Sequence, residues 1–221
     1  MTITAVAKST AAKSATTAIR IMLVDDHPIV RIGLAALIGT LPGMQVVAQA
    51  GGGREAIDLH REHRPDVTLM DLRLPDLSGV EVIRAIRATA LDSRFIVLTT
   101  YEGDEDIHQA LQAGARGYII KGLPHNLLAD AIKRVHAGGR YLPQVVRDTL
   151  ANRTPSSDLS PREREILVRI AQGKSNREIA AELDLAEITV KVRVSAILLR
   201  LDVNDRTQAV VAALQRGLLH L

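Results

Sequence analysis

The chain has 221 residues, of which 47% are hydrophobic and 24% are charged, and its formal net charge is +3. This composition is typical of a globular protein and excludes a fibrous or wholly disordered chain. The absence of cysteine excludes disulfides, zinc–thiolate sites and thiol catalysis. The net charge is too small to indicate nucleic-acid binding by itself, and the length suits two domains of about 100 residues each.

Residues 1–19 differ from the rest of the chain, because they are rich in Ser, Thr and Ala, with two Lys and no acid. They lack the continuous apolar segment of a secretory signal. No run in the chain approaches the about 18 apolar residues that cross a bilayer. We interpret residues 1–19 as a disordered leader, with a transit peptide as the alternative, and we expect a cytoplasmic protein without a membrane partner.

Residues 20–137 alternate short apolar runs with longer segments of helical period, which is the pattern of βα units around a parallel sheet. Most of the runs are continuous, as in strands buried on both faces. The predicted strands are 21–24, 45–50, 67–70, 94–98 and 117–120, and the predicted helices are 29–38, 54–63, 79–88, 105–113 and 126–137. The sequence therefore predicts a doubly wound α/β domain with a five-stranded parallel sheet, (βα)5.

The pattern changes in residues 138–157, which contain two Gly, two Pro and a pair of Ser and are predicted to be a linker with a short helix near 145–151. Residues 158–221 contain no strand signal. Three helix starts of the capping-box type begin at Ser160, Ser175 and Asp205, and a further helix is predicted over 186–201. The second domain is therefore predicted to be a small all-α domain of four helices.

Polar side chains follow four of the predicted strands. Asp25 and Asp26 follow the first, Asp71 the third, Thr99 the fourth and Lys121 the fifth. Doubly wound sheets bind ligands at the carboxyl ends of their strands, and three carboxylates in one crevice call for a hard cation such as Mg²⁺. A carboxylate can also act as a nucleophile toward phosphorus. The sequence therefore predicts a phosphoryl-transfer site with Asp71 as the acceptor and Lys121 stabilising charge.

The segments VDDHPIVR, LMDLRLPDLSG, IVLTTY and GYIIKG resemble, in order and spacing, the motifs of CheY-like receiver domains, which have a flavodoxin-like fold. The resemblance implies that Asp71 accepts a phosphoryl group from a sensor histidine kinase. It also implies that the chain is not a turnover enzyme. The residues that it implies as ligands of Mg²⁺ are Asp25, Asp26, Asp71 and the backbone carbonyl of Arg73, and its switch residues are Thr99 and Tyr118, with Lys121 beside the phosphate.

Residues 159–219 resemble the LuxR-type helix-turn-helix of NarL/FixJ response regulators. The helix over 186–201 has a buried stripe at helical spacing, and in such a motif its amino-terminal part meets the base edges of DNA. The predicted contacts are Thr189, Lys191, Val192, Arg193, Ser195 and Arg200. Asp184 stands where the family has Gly, and Ala186 stands where it has a capping hydroxyl, whose loss costs about 1 kcal/mol.

We therefore expect a phosphorylation-controlled transcription factor whose partners are a sensor histidine kinase, promoter DNA and a second copy of the chain. RNA polymerase is left open as a further partner. Two alternatives come from other classes. One is an enzyme that uses Asp71 in phosphate-ester hydrolysis, which would need a general acid that 72–137 does not obviously supply. The other is a phosphorylation-independent DNA-binding regulator whose receiver serves only for dimerisation.

Overall fold

A computed structural model describes residues 18–99, 103–122, 125–151 and 159–219. Its first domain contains five βα units. They are β1 (Ile19–Val24), α1 (Pro28–Gly39), β2 (Met44–Ala50), α2 (Gly53–His63), β3 (Val67–Asp71), α3 (Gly79–Thr89), β4 (Phe95–Thr99), α4 (Asp104–Ala113), β5 (Gly117–Ile120) and α5 (His125–His136). A helix α6 (Gln144–Ala151) follows, and the second domain contains α7 (Pro161–Ala171), α8 (Asn176–Leu183), α9 (Glu187–Leu201) and α10 (Arg206–Gln215).

The five strands form one parallel sheet in the order β2-β1-β3-β4-β5. This is the flavodoxin-like order, in which the direction of winding reverses between β1 and β3. The predicted fold class is confirmed, and the predicted strands and helices differ from the observed ones by at most two residues at either end. The switch point lies between the strands that end near Asp25 and Asp71.

Both faces of the sheet are buried, since neighbouring residues of a strand point to opposite sides. Met22 and Val24 of β1 pack in a cluster with residues of α2, α3 and α4. Ile21 and Leu23 of the same strand pack on the opposite face with residues of α1 and α5. Burial on both faces explains why the strands read as continuous apolar runs.

Helix α6 packs on the first domain, although the sequence places it in the predicted linker. Val146 is buried in the cluster that contains Tyr118 and Ile107. The chain just before α6 also joins the sheet edge, because Tyr118 N donates to Tyr141 O (2.8 Å) and Tyr141 N donates to Arg116 O (3.0 Å). The packed first domain therefore extends at least through α6.

The second domain has its own apolar core, formed by residues of α7 to α10 and the segments next to them. Complete capping boxes begin α7 at Ser160 and α8 at Ser175, as predicted. At α10, Asp205 accepts from Gln208 N, but the Gln208 side chain accepts from Asn204 N, so the reciprocal half of this box is displaced by one residue. Of the described helices, none has the length and apolar character needed to span a membrane.

The turn between α8 and α9 forms even though Asp184 stands in place of Gly and Ala186 stands in place of a capping residue. Asp184 adopts the left-handed conformation with φ of 51°, and its N–H donates to Ala180 O. Asp tolerates this region better than most residues other than glycine. Ala186 occupies the N-cap of α9 without a side-chain hydrogen bond, so α9 begins without the stabilisation that a capping hydroxyl supplies.

Candidate functional site

Two buried carboxylates and one ammonium meet at the carboxyl edge of the sheet. Asp25 follows β1 and is 1% exposed, while Asp71 ends β3 and is 4% exposed. Lys121 follows β5, and its Nζ lies 2.5 Å from Asp71 Oδ2 and 2.8 Å from Asp25 Oδ2. The strand order brings these residues together across the switch point, as predicted from the strand ends.

The electrostatics of this cluster are set by burial and by the shared ammonium. Burial raises the pKa of Asp71, and the hydrogen bond and charge of Lys121 offset this only in part. Burial also acts to lower the pKa of Lys121, but hydrogen bonds to Asp25 and Asp71 outweigh it and raise that pKa above its usual value. Lys121 therefore stays charged and neutralises part of the acidic pair.

Asp26 and His27 complete the acidic end of the crevice. Ligand atoms of Asp25, Asp26, His27 and Asp71 all lie within 4.8 Å of one another. His27 Nδ1 lies 2.6 Å from Asp26 Oδ1, and His27 N donates to Asp25 Oδ1 at 2.9 Å. Three carboxylates this close fit a hard divalent ion. His27 was not among the predicted site residues, although it directly follows the two acids in the sequence.

The loop after β3 holds the Asp71 carboxylate and brings a helix close to it. Arg73 N donates to Asp71 Oδ1 at 3.2 Å, and Gly79 N donates to Leu72 O at 2.8 Å. A Cβ at Gly79 would lie 2.2 Å from Asp71 O. Only glycine allows α3 to begin this near to Asp71.

The predicted switch residues are both buried beside the crevice. Thr99 ends β4, and its hydroxyl has no hydrogen-bond partner among the described residues. Tyr118 lies inside the domain, and both residues line a small cavity of about 20 Å³ together with Ile107 and Val146. The cavity separates the ends of β4 and β5 from α6, so a change at Thr99 can reach α6 through one layer of side chains.

The predicted DNA contacts do not all lie on the outer face of α9. Lys191, Val192 and Ser195 are exposed, and Thr189 is half-buried near the start of the helix. Ile188, which was not among the predicted contacts, is exposed on the same face. Its apolar character suggested no contact with DNA, and only its position in the helix-turn-helix could have indicated one.

Two of the predicted DNA contacts, Arg193 and Arg200, lie near the carboxylate of Glu163 in α7. Arg200 Nη1 lies 3.3 Å from Glu163 Oε2, and Arg193 is half-buried with its Nε inside the domain. Burial acts to raise the pKa of Glu163, but hydrogen bonds from Ser160 and the charges of the two arginines lower it overall. Arg200 is thus paired with Glu163 while its side chain remains 43% exposed, and Arg193 is partly withdrawn from solvent.

The two domains meet at the amino end of α4. Arg164 Nη2 of α7 lies 2.7 Å from Oε1 of Glu105, whose side chain is buried, and Glu105 N donates to Arg216 O at 3.1 Å. A Cβ at Gly103 would overlap the backbone of Arg216. We call these contacts of Gly103 and Glu105 with Arg164 and Arg216 the interdomain joint. It begins four residues after Thr99.

Comparisons with known proteins match both parts of the chain. Residues 21–133 match the family model described as a response regulator receiver domain. Residues 157–213 match the model described as bacterial regulatory proteins of the luxR family. These two ranges contain the acidic crevice and the helix-turn-helix, respectively.

Curated relatives extend over nearly the whole chain. The transcriptional regulatory protein LiaR of Bacillus subtilis (strain 168) is 39% identical over 204 residues, which cover 88% of this chain and 96% of the relative. The response regulator protein VraR of Staphylococcus aureus (strain NCTC 8325 / PS 47) is 38% identical over 206 residues, which cover 91% and 99%.

Solved structures show the same organisation. The response regulator ChrA of a heme-sensing two-component system is 39% identical, with a TM-score of 0.55 and coverage of 91% of this chain and 99% of that one. The RcsB regulator in its complex with DNA is 22% identical, with a TM-score of 0.65 and coverage of 90% and 99%, and this likeness concerns the fold. The chain belongs to the two-component response regulators that join a receiver domain to a LuxR-type DNA-binding domain.

Proposed function

We propose that Asp71 accepts a phosphoryl group from a sensor histidine kinase and that the resulting charge controls DNA binding by a dimer of this chain. The observation that carries this proposal is the position of Asp71 at the switch point, with the Lys121 ammonium 2.5 Å from its carboxylate. Asp71 is buried, whereas Asp26, whose carboxylate lies within 4.8 Å of it, is exposed. A phosphohistidine can therefore approach from the side of Asp26.

The reaction is a transfer between two phosphoryl carriers. A carboxylate oxygen of Asp71 forms the new P–O bond while the P–N bond to the kinase histidine breaks, and the electron pair of that bond leaves with the imidazole. Lys121 stabilises the charge on the transferring oxygens. Asp25, Asp26, Asp71 and the backbone carbonyl of Arg73 would hold Mg²⁺, which supplies further neutralisation of the phosphoryl charge. The chain thus modifies its own aspartate and does not turn over a substrate.

The phosphoryl group carries about −1.5 to −2 charges beside Thr99, in place of the single charge of the free carboxylate. Because the Thr99 hydroxyl is buried without a partner among the described residues, turning toward the phosphate gives it an acceptor. This movement opens space next to Tyr118 and shifts the start of α4. We infer that it loosens the interdomain joint, since Glu105 in the first turn of α4 holds both Arg164 and Arg216.

The outer face of α9 is exposed in this structure, so the receiver does not cover it. We infer that phosphorylation acts by freeing the second domain to pair with that of another copy rather than by uncovering α9. Pairing through α10 would place two modules on a pseudo-palindromic site. Val210, Leu214 and Leu218 lie near one stripe of this region, and Val210 and Leu214 remain partly accessible.

Contacts with DNA are assigned to the amino-terminal half of α9. Lys191 is proposed for a phosphate or guanine, Val192 for a thymine methyl, and Thr189 and Ser195 for contacts through their hydroxyls. Arg193 and Arg200 remain proposed contacts, and Arg200 would have to leave Glu163 to reach DNA. Glu163 thus competes with DNA for the Arg200 guanidinium.

The remaining proposals concern organisation and location. We propose the division predicted from the sequence, with a leader at residues 1–19, which lies almost entirely outside the described residues, a receiver domain at 20–137, a linker at 138–157 and a DNA-binding domain at 158–221. Two boundaries are adjusted, because Ile19 already belongs to β1 and α6 of the linker packs on the receiver. The packing of Val146 on the receiver supports a linker whose helix moves with the receiver. The cytoplasm is the proposed location. Whether RNA polymerase is a further partner is left undecided.

A phosphodonor experiment tests the assignment of Asp71. Wild type and Asp71→Asn are incubated with acetyl phosphate and Mg²⁺, and the mass of the intact protein is measured. Wild type should gain one phosphoryl group, and Asp71→Asn should gain none while keeping its circular dichroism spectrum. Asp92→Asn, an exposed acid at the opposite edge of the sheet, serves as the control, and Asp26→Ala should need more Mg²⁺. Equal labelling of Asp71→Asn, or full labelling in chelator, would contradict the proposal.

A further inference from the structure

The outer face of α9 presents apolar side chains to solvent at the end that would enter DNA. Ile188 is 66% exposed and Val192 is 62% exposed. They are four residues apart, so they lie on one face of the helix. Val190 and Val194 of the same helix are buried in the core, so Ile188 and Val192 are not needed to fill it.

Few polar groups on this face are available to read a guanine or an adenine. The Ser195 hydroxyl donates to Lys191 O at 3.2 Å, and Arg193 and Arg200 are drawn toward Glu163. Glu187 is exposed beside Ile188, but a carboxylate pairs with cytosine rather than with guanine. The Lys191 ammonium is exposed beside the two apolar residues, whereas Arg200 is exposed near the other end of the helix and pairs with Glu163.

Apolar side chains recognise one chemical group on the base edges of the major groove, the 5-methyl group of thymine. Ile188 and Val192 are separated by about 6 Å along the helix axis, which is close to two base steps of about 3.4 Å each. A groove of about 430 Å³ lies beside them and is lined by Ile188, Val192 and Ala196, with Glu163 and Arg193 also at its wall. The face thus has the shape and spacing to contact two neighbouring methyl groups.

We propose that Ile188 and Val192 together read two thymines, about two base steps apart, in each half-site of the operator. This inference rests on the proposed DNA-binding function and adds the base identity to it. Charge favours DNA over an apolar protein partner, since Lys191 lies between the two residues in sequence and is exposed with them. In this account Lys191 contacts phosphate or guanine nearby, and the methyl contacts provide the selectivity.

Removal of single methyl groups from the DNA tests the inference. Sites are selected from a random duplex pool with the full-length protein after treatment with acetyl phosphate, and each thymine of the selected site is then replaced by deoxyuridine. Burial of one methyl group predicts about a fourfold loss of affinity for each half-site. The loss should be confined to the two positions that Ile188 and Val192 face.

Two variants connect the methyl groups to the residues. Ile188→Ala and Val192→Ala should each bind the thymine site more weakly and should lose no further affinity when the matching thymine becomes deoxyuridine. Leu199→Ala is the matched control, because Leu199 is 82% exposed near the other end of the same helix. Its response to deoxyuridine should equal that of wild type.

The outcomes separate this inference from the function on which it rests. A selected site whose affinity is unchanged by every deoxyuridine substitution would overturn the thymine inference and leave DNA binding intact. Alanine variants that keep the full deoxyuridine effect would also overturn it. A pool without any enriched sequence would overturn both the inference and the proposed sequence-specific DNA binding.

Discussion

The ammonium of Lys121 donates a hydrogen bond of 2.5 Å to Asp71 and at the same time lies 2.8 Å from Asp25. One cation thus separates two buried carboxylates that end neighbouring strands of the sheet. The same ammonium that balances the resting site is in place to contact a phosphoryl group on Asp71. Stability and phosphoryl transfer therefore depend on the same ion pair.

Lys121→Ala removes this cation and leaves Asp25 and Asp71 facing each other. We expect the free energy of unfolding to fall by about 2 kcal/mol in the presence of a chelator. Mg²⁺ should recover part of the loss, because a bound divalent ion neutralises the same carboxylates. Urea unfolding with and without Mg²⁺ measures both effects, and Lys133→Ala, on the exposed side of α5, is the control. An equal response of both variants to Mg²⁺ would contradict a shared site.

Arg164→Ala weakens the interdomain joint and also removes the hydrogen bond that Arg164 Nε donates to Leu159 O within the second domain. Loss of its ion pair with Glu105 removes about 1 kcal/mol from the joint, which corresponds to about a fivefold change in an equilibrium. If the joint restrains pairing of the DNA-binding domains, the unphosphorylated variant should bind the operator about fivefold more tightly than unphosphorylated wild type. Gel-shift titration at one salt concentration measures this.

Arg162→Ala is the control for the joint, because the ion pair of Arg162 with Glu165 and its hydrogen bond to Leu183 O both lie within the second domain. This variant should bind DNA like wild type before phosphorylation. Equal affinities of wild type, Arg162→Ala and Arg164→Ala would show that the joint does not restrain DNA binding.

His60 should make the receiver less stable at mildly acidic pH. Its ring is buried and stacks on Phe95, with 6.0 Å between the ring centroids, and burial lowers the pKa of His60 below its ordinary 6.5. As the pH falls, the unfolded chain takes up this proton before the folded one. The contribution of neutral His60 to the free energy of unfolding is therefore complete above pH 6.5. It is lost progressively below that pH.

The measurement is urea unfolding of wild type and His60→Gln at several values between about pH 7.5 and 5.5. His60→Gln should be less stable than wild type at neutral pH and should lose less stability on acidification. Parallel losses in the two proteins would assign the pH dependence to other groups.

The receiver site was predictable because strand ends and sheet order determine it. Asp25, Asp71 and Lys121 each follow or end a strand with a clear apolar signal, and parallel strands bring such residues to one edge. The packing of α6 was not predictable in this way. Val146 lies in a segment that the sequence predicts to be a linker, and Tyr118 lies in a predicted strand. Their contact depends on how the chain turns after Gly139.

The sequence pattern also could not predict where the long side chains of the DNA-binding domain point. Helical period placed Arg200 on the exposed side of α9, where it lies, but it did not indicate that the Arg200 guanidinium also reaches Glu163 of α7. The joint between Glu105 and Arg164 joins residues 59 positions apart. The local periodicity of a sequence does not predict a contact between two domains.

The most direct test of the central claim, that the charge on Asp71 controls DNA binding, is a gel-shift titration of the selected operator with wild type and Asp71→Asn. Both proteins are titrated with and without acetyl phosphate at one fixed salt concentration. We predict that the phosphodonor tightens binding by wild type as a dimer and leaves the affinity of Asp71→Asn unchanged. Wild type that is indifferent to the phosphodonor, or Asp71→Asn that responds as wild type does, would contradict the account.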